Sequence, residues 1–239
     1  MFVTFRKFVH NLGPYIKDII FPLYCLSCGL EGFVVCGECV KKIPARGVFC
    51  CPICHTVNAD GICCEPCRVN TRLDQHIAIV PYQEQGLIGK VMQVFKYQFV
   101  TDVAMVLQPI IQKFCADQPS LFVGANVTVP VPLHRRRLAE RGFNQAELIA
   151  AALAQSLNLP VVHALERQKQ TKQQAKLNKA EREVNIRSAF SISKSAEIVG
   201  KEVFIVDDVY TTGSTIQECA AVLKSAGATR VVGFTVARG

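Results

Sequence analysis

Residues 202–215 read Glu-Val-Phe-Ile-Val-Asp-Asp-Val-Tyr-Thr-Thr-Gly-Ser-Thr, and this stretch constrains the fold more than any other. Val203 to Val206 form an apolar run suited to a strand buried on both faces. The run ends in two adjacent carboxylates, Asp207 and Asp208, followed by a turn of small hydroxylated residues. From Thr215 the apolar spacing becomes helical, and Thr215-x-x-Glu218 has the spacing of a capping box. A strand, a short turn and a helix N-terminus make an anion site, because free backbone N–H groups and the helix dipole both face the ligand. Gly213 lets the backbone approach closely, while Thr211, Thr212, Ser214 and Thr215 add hydroxyl donors. Carboxylates at the end of such a strand suit ribose hydroxyls and the hydration shell of Mg²⁺.

The rest of the chain fits an α/β framework. From about residue 75, apolar strand patterns at 77–82, 126–131, 161–165, 203–206 and 230–236 alternate with helical patterns at 87–97, 103–114, 144–157 and 215–226. Alternation of this kind implies a parallel sheet flanked by helices, with ligands at the carboxyl ends of the strands. A polar segment, 166–187, interrupts the pattern. A long polar loop inside a compact domain is usually either functional or disordered.

Half of the 239 residues are hydrophobic and 19% are charged, which supports a packed core and excludes wholesale disorder. Of 12 cysteines, eight form four C-x-x-C pairs: Cys25/Cys28, Cys36/Cys39, Cys51/Cys54 and Cys64/Cys67. One knuckle directs two thiolates at an ion, so four knuckles build two closed Cys₄ sites. With no open position, these are structural zinc sites. Short loops favour sequential pairing, although a cross-braced arrangement satisfies the same spacing. Cys50 and Cys63 are alternative ligands, whereas Cys115 and Cys219 sit in apolar helical patterns and read as core.

Residues 1–22 carry an amphipathic stripe of Phe2, Phe5, Val9, Leu12, Ile16 and Ile19, with no secretory signal pattern and no membrane-spanning run. The expected organisation is therefore an amphipathic helix at 1–22, a double zinc ribbon at 23–72 and the α/β domain at 75–239.

The net charge of +8 is localised. Arg135, Arg136, Arg137 and Arg141 against Glu140 give +3, and segment 166–187, which includes Lys172 and Lys176, gives +4. Two zinc ions on eight thiolates would lower the total to about +4. A strand at 126–131 delivers the first of these clusters to the sheet's carboxyl edge, where guanidinium groups can hold pyrophosphate. Phe143 and Tyr210 flank the expected site and are the aromatic candidates for stacking on bases.

The 207–215 string closely resembles the phosphoribosyl-pyrophosphate (PRPP) motif of type I phosphoribosyltransferases. Pro130-Val131-Pro132-Leu133, Arg141-Gly142-Phe143-Asn144-Gln145, Gln174-x-x-Leu177, Arg182-x-x-Asn185 and the 207–215 motif together resemble the ComF (ComFC) competence proteins, and the knuckles resemble that family's zinc ribbons. The resemblance implies a role in natural transformation, handling incoming single-stranded DNA. It also implies that Asp207 and Asp208 contact ribose, that Thr211 to Thr215 cradle the 5′-phosphate, and that Arg135 to Arg141 lie near pyrophosphate, with Mg²⁺ accompanying PRPP. The same resemblance implies that segment 166–187 is a mobile hood whose cations close over the ligand. The implied partners are a phosphoribosyl ligand, single-stranded DNA and a competence helicase or other DNA-processing proteins. The implied location is the cytoplasm, at the periphery of the inner membrane. An active phosphoribosyltransferase with an unidentified acceptor is the alternative, since fold alone does not establish chemistry.

Overall fold

In the computed structural model, residues 23–97, 100–169, 188–193 and 197–239 are described. They divide between Ile43 and Pro44 into two compact units. The smaller holds the first two knuckles and a short helix, α1 (Gly37–Lys41). The larger begins with the remaining knuckles and α2 (Glu65–Arg68), then continues into the α/β fold.

Four parallel strands form the main sheet in the order β1-β6-β5-β2: β1 (Gln75–Pro81), β2 (Val127–Pro130), β5 (Glu202–Tyr210) and β6 (Arg230–Arg238). Between β1 and β2 run α3 (Leu87–Tyr97) and α4 (Val100–Asp117). After β2 come α5 (Arg135–Arg141) and α6 (Gln145–Leu157), and α7 (Ser214–Ser225) joins β5 to β6. β5 is apolar on both faces because helices cover both. Val203 and Ile205 pack with Ile216, Cys219 and Leu223 of α7. Phe204 points the other way, to Phe122, with ring centroids 5.7 Å apart. Phe204, Phe234, Phe95 and Phe114 are fully buried, and burial on that scale supplies most of the drive to fold.

Both sheet edges are covered. On the outer side of β1, the Gly47 and Val48 amides donate to the Ile79 and Ala78 carbonyls at 2.9 and 2.8 Å, and Ile62 bridges Gln75. Those segments flank the second knuckle pair, so that ribbon extends the sheet. The close fit needs Gly61, whose φ is +76° and whose missing Cβ leaves room for the His76 carbonyl. At the other edge, Thr128 bridges Val161.

Three sequence expectations need correction. Around 161–165, only Val161 bridges the sheet; the strand there is β3 (Leu165–Arg167), which pairs antiparallel with β4 (Phe190–Ile192) in a separate ribbon. β5 runs four residues past Val206, so the aspartates lie within the strand. The capping box at Thr215 does not form. Gly213 is the N-cap of α7, and Glu218 accepts instead from the Ser188 N–H at 2.6 Å.

Among the described residues, no helix is long and apolar enough to cross a membrane. The amphipathic segment 1–22 lies outside the described residues.

Candidate functional site

The cysteines group in the sequential arrangement. Cys25, Cys28, Cys36 and Cys39 bring their sulfurs within 4.8 Å of one another, and so do Cys51, Cys54, Cys64 and Cys67. Sγ–Sγ distances of 3.6 Å, Cys28 to Cys36 and Cys54 to Cys64, approach the edge of about 3.8 Å for a tetrahedron with Zn–S bonds of 2.3 Å. Burial opposes ionisation of Cys25, yet the N–H groups of Cys36, Cys28 and Ser27 outweigh it and bring the thiol down to about 6. Cys51 is likewise held at about 6, burial being outweighed by the N–H groups of Cys54, Cys64 and Ile53. Four closely grouped thiol ligands per cluster, of which Cys25 and Cys51 favour the thiolate while Cys28, Cys64 and Cys67 are shifted upward, fit a structural zinc ion. Cys50 and Cys63 are buried outside both clusters. Burial also pushes the Cys115 thiol up to about 12 and Cys219 well above its usual range, in keeping with core roles.

The second site lies at the carboxyl edge of the sheet. The main chain of the strand end secures both carboxylates: Asp208 N–H donates to Asp207 Oδ1 at 2.9 Å, and Val209 N–H to Asp208 Oδ1 at 2.7 Å. Both side chains are half-exposed. The turn follows, with the Thr212 and Ser214 hydroxyls 2.9 Å apart. Gly213 adopts φ +76°, and a Cβ there would collide with the Tyr210 hydroxyl and ring. As an N-cap, Gly213 offers no side-chain acceptor, so α7 opens onto the turn uncapped.

Next to β5, β2 ends where the Val131 N–H donates to the Val206 carbonyl at 2.9 Å, immediately before Asp207. The expected basic turn is a short helix, α5. His134 caps it through Nδ1, which accepts from the Arg136 N–H at 3.3 Å. Arg135 and Arg136 are exposed and Arg137 and Arg141 half-buried; Arg136 pairs with Glu140, and Arg141 donates to Gln145 Oε1 at 3.2 Å. In the Arg-Gly-Phe-Asn-Gln motif, Gly142 ends α5 in the left-handed region and Asn144 caps α6. Gln145 donates to the Phe95 carbonyl at 3.2 Å, and Phe143 packs beside the Phe95 ring. Those last four residues set the loop's path.

Arg167, at the end of β3, is a site residue that sequence reasoning left among the general basic charge. Its guanidinium lies over the Phe190 ring, 5.4 Å from the centroid. Its pKa is lowered by burial and by neighbouring Arg137, against the opposing pull of Cys219 and Asp207. Two guanidinium groups and a carboxylate thus share one region. Lys172 and Lys176, like the rest of the 170–187 hood, lie outside the described residues.

Beneath the turn is a buried network that the sequence did not suggest. Arg238, 4% exposed, donates to the Cys50 and Cys51 carbonyls at 3.2 and 3.0 Å and reaches His76 Nδ1 at 3.2 Å. Its guanidinium also lies 4.8 Å from the centre of the Tyr210 ring. His76 also packs against the phenol, with centroids 3.9 Å apart and the rings tilted by 36°. Tyr210 is therefore structural: it is 1% exposed and its hydroxyl donates to the Pro52 carbonyl at 2.9 Å, so it presents no face to a base.

A parallel sheet with an aspartate pair on its central strand, then a glycine turn opening a helix, defines a phosphoribosyltransferase-type domain. Residues 140–238 match the phosphoribosyl transferase domain family. The chain is 30% identical to competence protein ComFC of Bacillus subtilis over 85% of its own length and 84% of that protein, and it belongs to the ComFC family. It is also 38% identical to the DNA utilization protein YhgH of Escherichia coli K12, over 43% of this chain and 45% of that one. Among solved structures, the glutamine PRPP amidotransferase of Bacillus subtilis aligns with a TM-score of 0.39 and 25% identity, over 56% of this chain and 26% of that chain.

Proposed function

We propose that this protein handles incoming single-stranded DNA during natural transformation and carries a Mg²⁺-dependent site for PRPP or a related phosphoribosyl ligand. The observation carrying the ligand reading is the placement of Asp207 and Asp208 in the second half of β5, followed at once by the Gly213 turn and the start of α7. Carboxylates accept from ribose hydroxyls, the turn and α7 N-terminus take the 5′-phosphate, and the guanidinium groups of Arg135 to Arg141 meet pyrophosphate. Calorimetry with Mg²⁺ and PRPP tests the reading. Binding by the wild type should disappear with Asp207→Ala combined with Asp208→Ala; equal affinity in both would overturn it.

The names of the relatives, one a competence protein and the other a DNA utilization protein, support the DNA reading. So does the charge: exposed Arg135 and Arg136 stand beside the same sheet edge. Lys172 and Lys176 of the hood would extend this surface. The partners would be a helicase or other DNA-processing proteins, met in the cytoplasm at the inner face of the membrane.

The two cysteine clusters would each hold one structural zinc ion. When bound, zinc cross-links the knuckles and adds a formal charge of −2 per Cys₄ site. Arg238, held on the Cys50 and Cys51 carbonyls, places positive charge beside the second cluster.

A further inference from the structure

The second knuckle pair touches the glycine turn and its helix through two separate struts. Pro52 lies between Cys51 and Cys54, and its carbonyl accepts from the Tyr210 hydroxyl at 2.9 Å. The same hydroxyl and ring fill the space that a Cβ on Gly213 would occupy. From the other knuckle, four residues beyond Cys67, the Thr71 hydroxyl donates to Gln217 Oε1 on the first turn of α7. Gln217 N–H in turn donates to the Gly213 carbonyl at 2.9 Å. Both knuckles of one cluster therefore end on the same helix start.

The Tyr210 ring has little freedom to take up slack. His76 and Arg238, hydrogen-bonded to each other, both pack against it, and its backbone is paired with β6, beyond whose end the Gly239 N–H donates to the Tyr210 carbonyl at 3.0 Å. With the ring fixed at its root and packed against this hydrogen-bonded pair, the position of its hydroxyl depends on where the Cys51–Cys54 knuckle holds Pro52. Thr71 is fixed from within the same segment, its hydroxyl accepting from the Leu73 N–H at 2.9 Å. Without a bound metal, the knuckles lose the cross-link that holds them together, so the anchors of both struts loosen at once.

We propose that Tyr210 is a positioning residue through which metal occupancy of the Cys51/Cys54/Cys64/Cys67 cluster sets the shape of the phosphate turn at 211–216. This cluster is then part of the ligand site's scaffold. As regulation of that site, the proposal rests on the phosphoribosyl reading of 207–215. The coupling is also reciprocal by thermodynamic necessity: a ligand that orders the turn tightens the metal, and metal loss weakens the ligand.

Amide hydrogen exchange of the full zinc-loaded chain, resolved by peptide, tests it without reference to any activity. Tyr210→Phe keeps the ring and removes only the hydroxyl. It should speed exchange of amides 211–217 by about tenfold, the effect of losing roughly one hydrogen bond's worth of local protection. Cys67→Ser, in protein shown by metal analysis to hold one zinc fewer, should do the same. In both variants helix α6 serves as the internal reference and should keep its protection, which separates a local effect from general unfolding. Unchanged exchange at 211–217 in Tyr210→Phe overturns the proposal. If Cys67→Ser loses protection in α6 as well, the Tyr210→Phe result alone decides. Parallel calorimetry keeps the two readings apart: wild type that fails to bind PRPP removes the ligand assignment, while the exchange data still decide whether the cluster shapes the turn. As a further check, saturating Mg²⁺ and PRPP should slow zinc transfer to a chelator from wild type and not from Tyr210→Phe.

Discussion

The Asn144 carboxamide joins the end of β2 to the start of α6: its Nδ2 donates to the Val131 carbonyl at 3.0 Å while its Oδ1 accepts from the Ala146 N–H at 3.1 Å. One buried side chain thus satisfies a loop carbonyl and caps a helix, which fixes where the basic helix α5 leaves the sheet. Asn144→Ala removes the cap and strands a buried carbonyl, and should lower stability by about 1–3 kcal/mol. Urea denaturation monitored by circular dichroism reads this directly. A midpoint equal to wild type would show that the loop holds without Asn144.

Gly213→Ala should abolish tight ligand binding while leaving most of the fold intact. The new methyl would require a left-handed backbone conformation and would collide with Tyr210. Strain of about 1–3 kcal/mol, or displacement of the turn that avoids it, should weaken PRPP affinity by at least about tenfold. Calorimetry measures the affinity, and thermal melting checks the fold.

His76 predicts a pH dependence. It is completely buried, and burial, reinforced by Arg238, holds its pKa well below the usual histidine value of 6.5. Its surroundings are Arg238, the Tyr210 phenol and the Thr235 hydroxyl. With Nδ1 facing Arg238 as acceptor, Nε2–H donates to Thr235 Oγ1 at 3.1 Å. Because the folded pKa is depressed, the unfolded chain binds more protons below pH 6.5. Stability from this group is therefore complete above 6.5 and declines as pH falls, by up to about 1.4 kcal/mol per unit. His76→Gln should remove that share of the slope. Equal pH slopes in wild type and variant, measured by denaturation from pH 7.5 to 5.5, would refute the buried neutral imidazole.

For DNA, single-strand binding should be independent of sequence and fall steeply with salt, with a log–log slope of about −0.7 per phosphate contacted. Arg135, Arg136 and Arg137 changed together to Ala should lower affinity and flatten the slope, as read by fluorescence anisotropy across a salt series. In cells, the same variant should take up linear DNA poorly while growing normally. Normal transformation accompanied by a nucleotide requirement would favour the alternative, a phosphoribosyltransferase enzyme.

The sheet and the strand, turn and helix start around 207–215 were legible in the sequence because each rests on a local signal. Val203 to Val206 announce a buried strand, and the small residues after it announce a turn. The cysteine spacing likewise announces knuckles. What could not be read is carried by partners distant in sequence. Tyr210 flanks the site and so is a candidate for base stacking, with ordinary packing favoured; the packing is what forms, but its partners Pro52, His76 and Arg238 were not legible. Glu218 had capping spacing with Thr215, but the chain returning at Ser188 claims its carboxylate. Arg167 looked like one cation among many until the β3–β4 hairpin placed it over the Phe190 ring. Nor does any spacing rule reveal that the 47–48 and 61–62 segments pair with β1, since backbone amides carry those contacts.

That pairing has a consequence for solubility. An unpaired strand edge is a template for other chains, and proteins avoid aggregation by covering such edges. Here the cover over β1 is the chain on either side of the second cysteine cluster, whose order would depend on the zinc ion proposed for it. A cell short of metal, or one in which these thiols are oxidised, would uncover an edge bearing the apolar residues Ile77, Ala78, Ile79 and Val80. Damage to the second cluster would then favour insoluble protein as well as a loosened turn at 211–216. A shortened chain begun at Gln75 would carry the same hazard from the moment of its synthesis, whereas one begun at Pro44 would keep its edge covered.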